Sequence, residues 1–182
     1  MTQLYRNKQH LITTVKLLSI SLLCAAVLSG CGFHLRGETQ LPKNLQPVYL
    51  STSAQYSDLS KEIFKQLKLS GVQITKNATF ANSRLVVEQQ ETQRRSQSLD
   101  ALARTAEYAY YQSADVQLLG KNGKLVAPPQ TVQVRRVIVN DPNSPVTERA
   151  EERIVEQEMT EELAVQIVSQ LDYWARLISR KR

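Results

Sequence analysis

The 182-residue chain is poor in the residues that build metal and covalent-catalysis sites. It has two cysteines, Cys24 and Cys31, and two histidines, His10 and His34. Two cysteines make neither a disulfide scaffold nor a cysteine-based zinc site. Both histidines lie near the N-terminus, so no Ser/His/Asp or Cys/His set shares one folded core. There is no GxxxxGK[ST], no GxGxxG and no HExxH. These absences speak against catalysis. Only 6 glycines and 6 prolines exclude a collagen-like or linker-like chain. A single apolar run near the N-terminus excludes a polytopic membrane protein. What remains, 42% hydrophobic and 22% charged residues, is the composition of one medium-sized globular domain.

The first thirty residues read as an address. Arg6, Lys8 and Lys16 stand there without any acid, and residues 17–27 form an apolar run broken by Ser19 and Ser21. At ~1.5 Å per residue the run is too short to cross a hydrocarbon layer of ~30 Å. A basic stretch, a short apolar stretch and small residues after it make a secretory signal. The next residues, Leu28-Ser29-Gly30-Cys31, resemble a bacterial lipobox, in which a signal peptidase cuts before the cysteine. Cys31 is then the lipidation site: its thiol takes a diacylglycerol and its freed amine a further acyl chain such as palmitate. Three chains, at ~0.8 kcal/mol per buried CH₂, anchor far more firmly than one. No other cofactor is expected. Cys24 leaves with the signal. Gly32 rather than Asp follows the anchor, and the resemblance to enteric lipoproteins implies delivery to the outer membrane. The expected organisation is a lipoprotein signal peptide over 1–30, a lipidated tether over 31–44 and one domain over 45–182. Residues 31–182 carry 20 basic against 17 acidic residues, a mild +3. No nucleic-acid partner is expected for a periplasmic lipoprotein.

Periodicity along the mature chain predicts the elements. A first strand covers 46–51, with Val48 and Leu50 alternating. Leu59, Ile63, Phe64 and Leu67 predict a helix over 58–70 capped by Ser57 or Asp58 and stopped at Gly71. A short extended stub at 72–75 and a turn at 77–82 follow. The strand expected over 84–94 begins Leu85-Val86-Val87 and then turns polar, and 96–104 reads as a loop. The long alternation over 105–119 puts Ala106, Tyr108, Tyr110, Ala114, Val116 and Leu118 on one face. Asn122-Gly123 predicts a type I′ hairpin. In the return strand, Pro128-Pro129 predicts a break in the ladder, and 131–139 resumes it. After a turn-rich loop at 140–145, a helix is expected over 148–178. It buries Ile154, Met159, Leu163, Ile167, Leu171, Trp174 and Ile178, with acids at its start and bases at its end. The fold class is therefore α+β: a two-layer sandwich with a mostly antiparallel four-stranded sheet, two helices on one face and the order β-α-β-β-β-α.

The mature start, Cys31-Gly32-Phe33-His34-Leu35-Arg36-Gly37, resembles that of the LptE family of lipopolysaccharide (LPS) assembly lipoproteins, whose members begin Cys-Gly-aromatic-His-Leu-Arg. Leu67-Lys68-Leu69-Ser70-Gly71-Val72, Thr105-Ala106-Glu107-Tyr108 and the Asp141-Pro142 loop are similar to that family in the same order. The resemblance implies a two-layer sandwich lodged in the LptD β-barrel of the outer membrane. There it would act as plug and assembly scaffold, and bind LPS on its way to the outer leaflet. No enzymatic activity is implied.

A receptor for LPS, which carries phosphates and acyl chains, wants arginines beside apolar surface. The LPS-binding candidates are Arg94, Arg95, Arg104, Arg135, Arg136, Arg149 and Arg153. Phe33 and His34 read as a packed tether. Tyr108 and Tyr110 read as core and Tyr111 as exposed, and Trp174 as packing the last helix on the sheet. The polar stretch 88–95 suits the polar lumen of a barrel. The competing reading is an independent periplasmic lipid- or glycan-binding lipoprotein without a barrel partner. A glutamate-pair hydrolase is disfavoured because the acids concentrate at the start of the last helix.

Overall fold

A computed structural model describes residues 41–89, 92–140 and 145–180, the side chains of 145–149 excepted. Cys31, the signal, most of the tether and residues 141–144 lie outside the described residues. Leu41 is already buried, so packing begins within the stretch read as tether.

The elements are β1 (Val48–Thr52), α1 (Asp58–Leu69), β2 (Ile74–Thr75), β3 (Ser83–Gln89), β4 (Gln93–Leu99), β5 (Thr105–Gly120), β6 (Leu125–Val139) and α2 (Pro145–Arg180). They make a six-stranded sheet in the order β2-β1-β3-β5-β4, with β6 on the other edge of β5. The α+β class and the two helices agree with expectation. The strand count of four does not, for two reasons. The stub before residue 76 joins β1 as the parallel strand β2. The expected 84–94 strand is two strands, β3 and β4, lying end to end along β5. Their registers against β5 differ by one residue. The polar strand also runs on to Leu99, and the loop expected over 96–104 shrinks to a turn. Its residues bury little, but β5 supplies the ladder that periodicity does not announce.

Both turns at the ends of β5 use the same construction. Gly120 N–H donates to Lys124 O at 2.9 Å and Gly123 N–H to Gly120 O at 2.9 Å. Asp100 N–H donates to Arg104 O at 2.8 Å and Ala103 N–H to Asp100 O at 3.0 Å. Each is a three-residue loop whose last residue is left-handed, Gly123 at φ 73° and Ala103 at φ 58°. The hairpin expected at Asn122-Gly123 is therefore present, but with one positive φ instead of the two that a type I′ turn needs. Asp100 Oδ1 accepts from Leu102 N–H and Arg104 N–H, both at 2.9 Å, which fixes the glycine-free turn. The ladder break at Pro128-Pro129 is also present: Ala127 pairs with Leu118 and Gln130 with Val116, leaving two residues opposite one.

Ser57 caps α1 by accepting from Ser60 N–H at 3.2 Å. Pro145 opens α2, where its missing N–H costs no intrahelical bond. Met159, Leu163, Ala164, Ile167, Val168, Leu171, Trp174 and Ala175 are buried along α2, the spacing of a helix lying on a core. Ile154 departs from expectation and is 58% exposed. Val155, one turn before Met159, packs on the core in its place. Both helices join one core with Val48, Leu85, Val87, Ala114, Val116, Leu118, Val132 and Val134. They therefore cover the same sheet face. No described element covers the other face.

Candidate functional site

Alternation in β4, β5 and β6 splits the candidate arginines between the two faces. Tyr110 stands between Arg94 and Arg136 in the ladder, and all three point to the helix side. Tyr111 stands between Gln93 and Arg135, on the open side, where Arg95 pairs with Ala109. Two pairs adjacent in sequence, Arg94-Arg95 and Arg135-Arg136, are thus re-sorted in space into Arg94 with Arg136 and Arg95 with Arg135.

The helix-side pair is neutralised. The Arg94 guanidinium lies 4.4 Å from the Tyr108 ring centre and 3.8 Å from Glu152. Tyr110 O–H donates to the same Glu152 oxygen at 3.1 Å. Hydrogen bonding to Tyr110 raises the Arg94 pKa, with the neighbouring tyrosines and Glu152 adding to it against the cost of burial. Burial in turn pushes the Tyr110 hydroxyl above the ordinary tyrosine value, helped by Glu152. Arg136 lies 2.9 Å from Glu162 Oε2. That oxygen is buried and makes no directed hydrogen bond, so the contact is an ion pair without hydrogen-bond geometry. Deeper along this side, Gln112 is buried and donates weakly to Glu156 O at 3.4 Å.

The open-side pair keeps its charge. Arg95 lies 5.2 Å and Arg135 5.9 Å from the Tyr111 ring centre, so two guanidinium groups share one aromatic ring. Arg135 Nε–H donates to Tyr111 Oη at 3.2 Å and its Nη2 to Gln97 Oε1 at 2.7 Å; Arg95 Nη2 donates to Gln93 Oε1 at 2.6 Å. These partners orient the groups, and none of them carries a negative charge. Beside them on the same face stand the exposed Val137, Val139 and Leu99. Cations held at fixed spacing next to apolar surface can engage phosphate and hydrocarbon together.

The remaining candidates fall elsewhere. Arg104 Nη2 sits 2.8 Å from Asp100 in the β4–β5 turn. Hydrogen bonds from the Arg104 backbone, above all, hold the Asp100 carboxyl below its ordinary pKa. Arg153 is exposed and lines a polar cleft with Asp58, Glu62, Glu156 and Glu161. The Arg149 side chain lies outside the described residues. Of the tyrosines, Tyr110 is buried, Tyr108 half-buried against the core and Tyr111 half-buried on the open face. Sequence reasoning missed Gln93 and Gln97. The available signal was their odd-numbered spacing with Arg95, which places all three on one side of a strand. Among the described residues no group of three His, Cys, Asp or Glu side chains is placed to hold a metal. No described helix is long and apolar enough to cross a membrane.

Fold and site together define a two-layer α+β domain with one sheet face covered by helices and one open face that carries the Arg95–Tyr111–Arg135 group. Residues 45–171 match the family model for LptE, lipopolysaccharide-assembly. An LPS-assembly lipoprotein LptE from Pectobacterium atrosepticum is 36% identical over 82% of this chain and 80% of its own length. One from Yersinia pestis is 31% identical over 90% of this chain and 76% of its own. Among solved structures, the fold is similar to a lipoprotein B from Nitrosomonas europaea, with a TM-score of 0.67 and 18% identity over 80% of this chain and 93% of that one. The chain belongs to the LptE family of LPS-assembly lipoproteins, which is not a family of enzymes.

Proposed function

We propose that the chain is the lipid-anchored LptE subunit of the outer-membrane LPS translocon, held at Cys31, seated in the LptD β-barrel and binding LPS in transit. The observation that carries the LPS part is the Arg95–Tyr111–Arg135 group beside Val137, Val139 and Leu99 on the uncovered sheet face. Guanidinium pairs with phosphate in a bidentate way, and the adjoining valines and leucine offer a surface for acyl chains. Arg94 and Arg136 contribute less, because Glu152 and Glu162 already oppose them. The barrel part rests on family membership and on the polar side chains of the open face, among them Gln93, Gln97, Ser113, Asp115 and Gln133, which match a polar lumen.

The test is LPS binding to the full chain as a function of salt. Arg95→Ala with Arg135→Ala lowers affinity at least about tenfold, equivalent to ~1.4 kcal/mol, and flattens the salt dependence. The Arg94→Ala, Arg136→Ala pair has the smaller effect. Unchanged, salt-insensitive affinity in the Arg95/Arg135 variant removes the open face from LPS recognition. A chain that is recovered alone from outer membranes, and whose loss leaves LPS export normal, is instead an independent lipid- or glycan-binding lipoprotein.

A further inference from the structure

We propose that the cleft between α1 and the β1–β2 edge is a second ligand site, for a single-chain anionic amphiphile. Its head would lie on Lys61 and Lys76, and its tail along Leu50, Phe64 and Ile74. The cleft holds about 400 Å³, within the ~300–1,000 Å³ range of small-molecule sites. It exists because β2 is two residues long and pairs only with Val48 and Tyr49. Past that point β1 has no strand on this edge, while α1 overhangs it with Ser60, Lys61 and Phe64. Leu50 and Ile74 form the apolar wall and continue into the core. Phe64, 37% exposed, and Tyr56, 83% exposed, are large aromatic surfaces left at the opening.

Charge selects the head group. Lys61 and Lys76 are the charged residues lining the cleft, and no carboxylate lines it. Lys61 contacts Asp58 at 2.9 Å, but both side chains are largely exposed, so the pair is weak and readily exchanged. Lys76 has no ion-pair or hydrogen-bond partner among the described residues. The neighbouring cleft between α1 and α2 differs in kind: four carboxylates line it against Lys61 and Arg153, and an anion gains little there. The volume admits one hydrocarbon chain and not a bundle of them. This site shares no residue with the Arg95–Tyr111–Arg135 group, so the two proposals fail independently.

The experiment uses the full chain in a neutral maltoside detergent and dodecyl phosphate bearing a diazirine on its chain. After illumination the labelled peptides are mapped by mass spectrometry. The expected adducts lie on α1 around Phe64 and on residues 73–76. Lys61→Glu with Lys76→Glu lowers labelling at least about tenfold, and the milder Lys61→Gln, Lys76→Gln pair lowers it at an unchanged unfolding temperature. Unlabelled dodecyl phosphate competes. Arg95→Ala with Arg135→Ala leaves labelling unchanged. Labelling spread evenly over the chain, equal labelling by an uncharged dodecyl analogue, or competition by inorganic phosphate alone would each overturn the proposal.

Discussion

The strand β5 and the helix α2 meet along two halves that differ in chemistry. In one half Ala114, Val116 and Leu118 share a core with Leu163, Ile167, Leu171 and Trp174, all essentially without solvent. In the other, Tyr110 and Gln112 meet Glu152, Glu156 and Thr160, with Arg94 and Arg136 at the flanks. The apolar half scales with buried area and holds the fold together. The polar half must satisfy each group separately, so it adds little stability and fixes geometry instead. The LPS candidates lie on the reverse of that second half, where three strands, β4, β5 and β6, project beyond the part of the sheet that β1 and β3 complete.

This difference is open to direct attack. Trp174→Ala in the apolar half is expected to cost about 3–5 kcal/mol, measured by denaturant unfolding, while Glu152→Gln in the polar half costs far less. Equal losses would abolish the distinction. Tyr110→Phe removes one hydroxyl that bonds Glu152 and is expected to cost about 1 kcal/mol. Its pH signature is more specific. Burial raises the Tyr110 pKa, so the folded state favours the neutral hydroxyl. That contribution is complete below the ordinary tyrosine pKa of about 10 and is lost as pH rises through the raised folded value. The phenylalanine variant should lack this alkaline loss, and an unchanged alkaline profile would count against the assignment.

The ends of β5 offer a second comparison. Gly123 closes the turn at the apolar end and Ala103 the equivalent turn at the polar end, both left-handed. Ala103→Gly is expected to raise stability by up to about 1 kcal/mol, since alanine carries a steric penalty there. Gly123→Ala should lower it by a similar amount. A destabilising Ala103→Gly would show that the turn is not strained. The smallest effect belongs to Arg136 and Glu162, half-exposed and poorly directed. A double-mutant cycle should give less than about 1 kcal/mol of coupling.

Much of this was legible where one residue type determines one outcome. The apolar spacing of α1 and of α2 from Met159 onward, the alternation of β5 and the paired prolines of β6 each led to the observed element. The polar strand β4 was only half legible. Its ladder comes from β5, and Gln93 to Ser98 carry no apolar period to betray it. The start of α2 misled for a related reason: a helix that turns from charged to apolar contacts has no single stripe, and Ile154 and Val155 compete for one place. The site was least legible. The sequence places Arg94 beside Arg95 and Arg135 beside Arg136, whereas strand geometry pairs Arg95 with Arg135 across Tyr111 and turns the other two toward carboxylates.

The most direct test of the functional account is recovery of the tagged full chain from its host's outer membranes, with the stoichiometry of whatever accompanies it. The account predicts one large β-barrel in equimolar amount and LPS bound to the complex. A chain recovered without a barrel partner, from cells that display LPS normally when it is depleted, would contradict it.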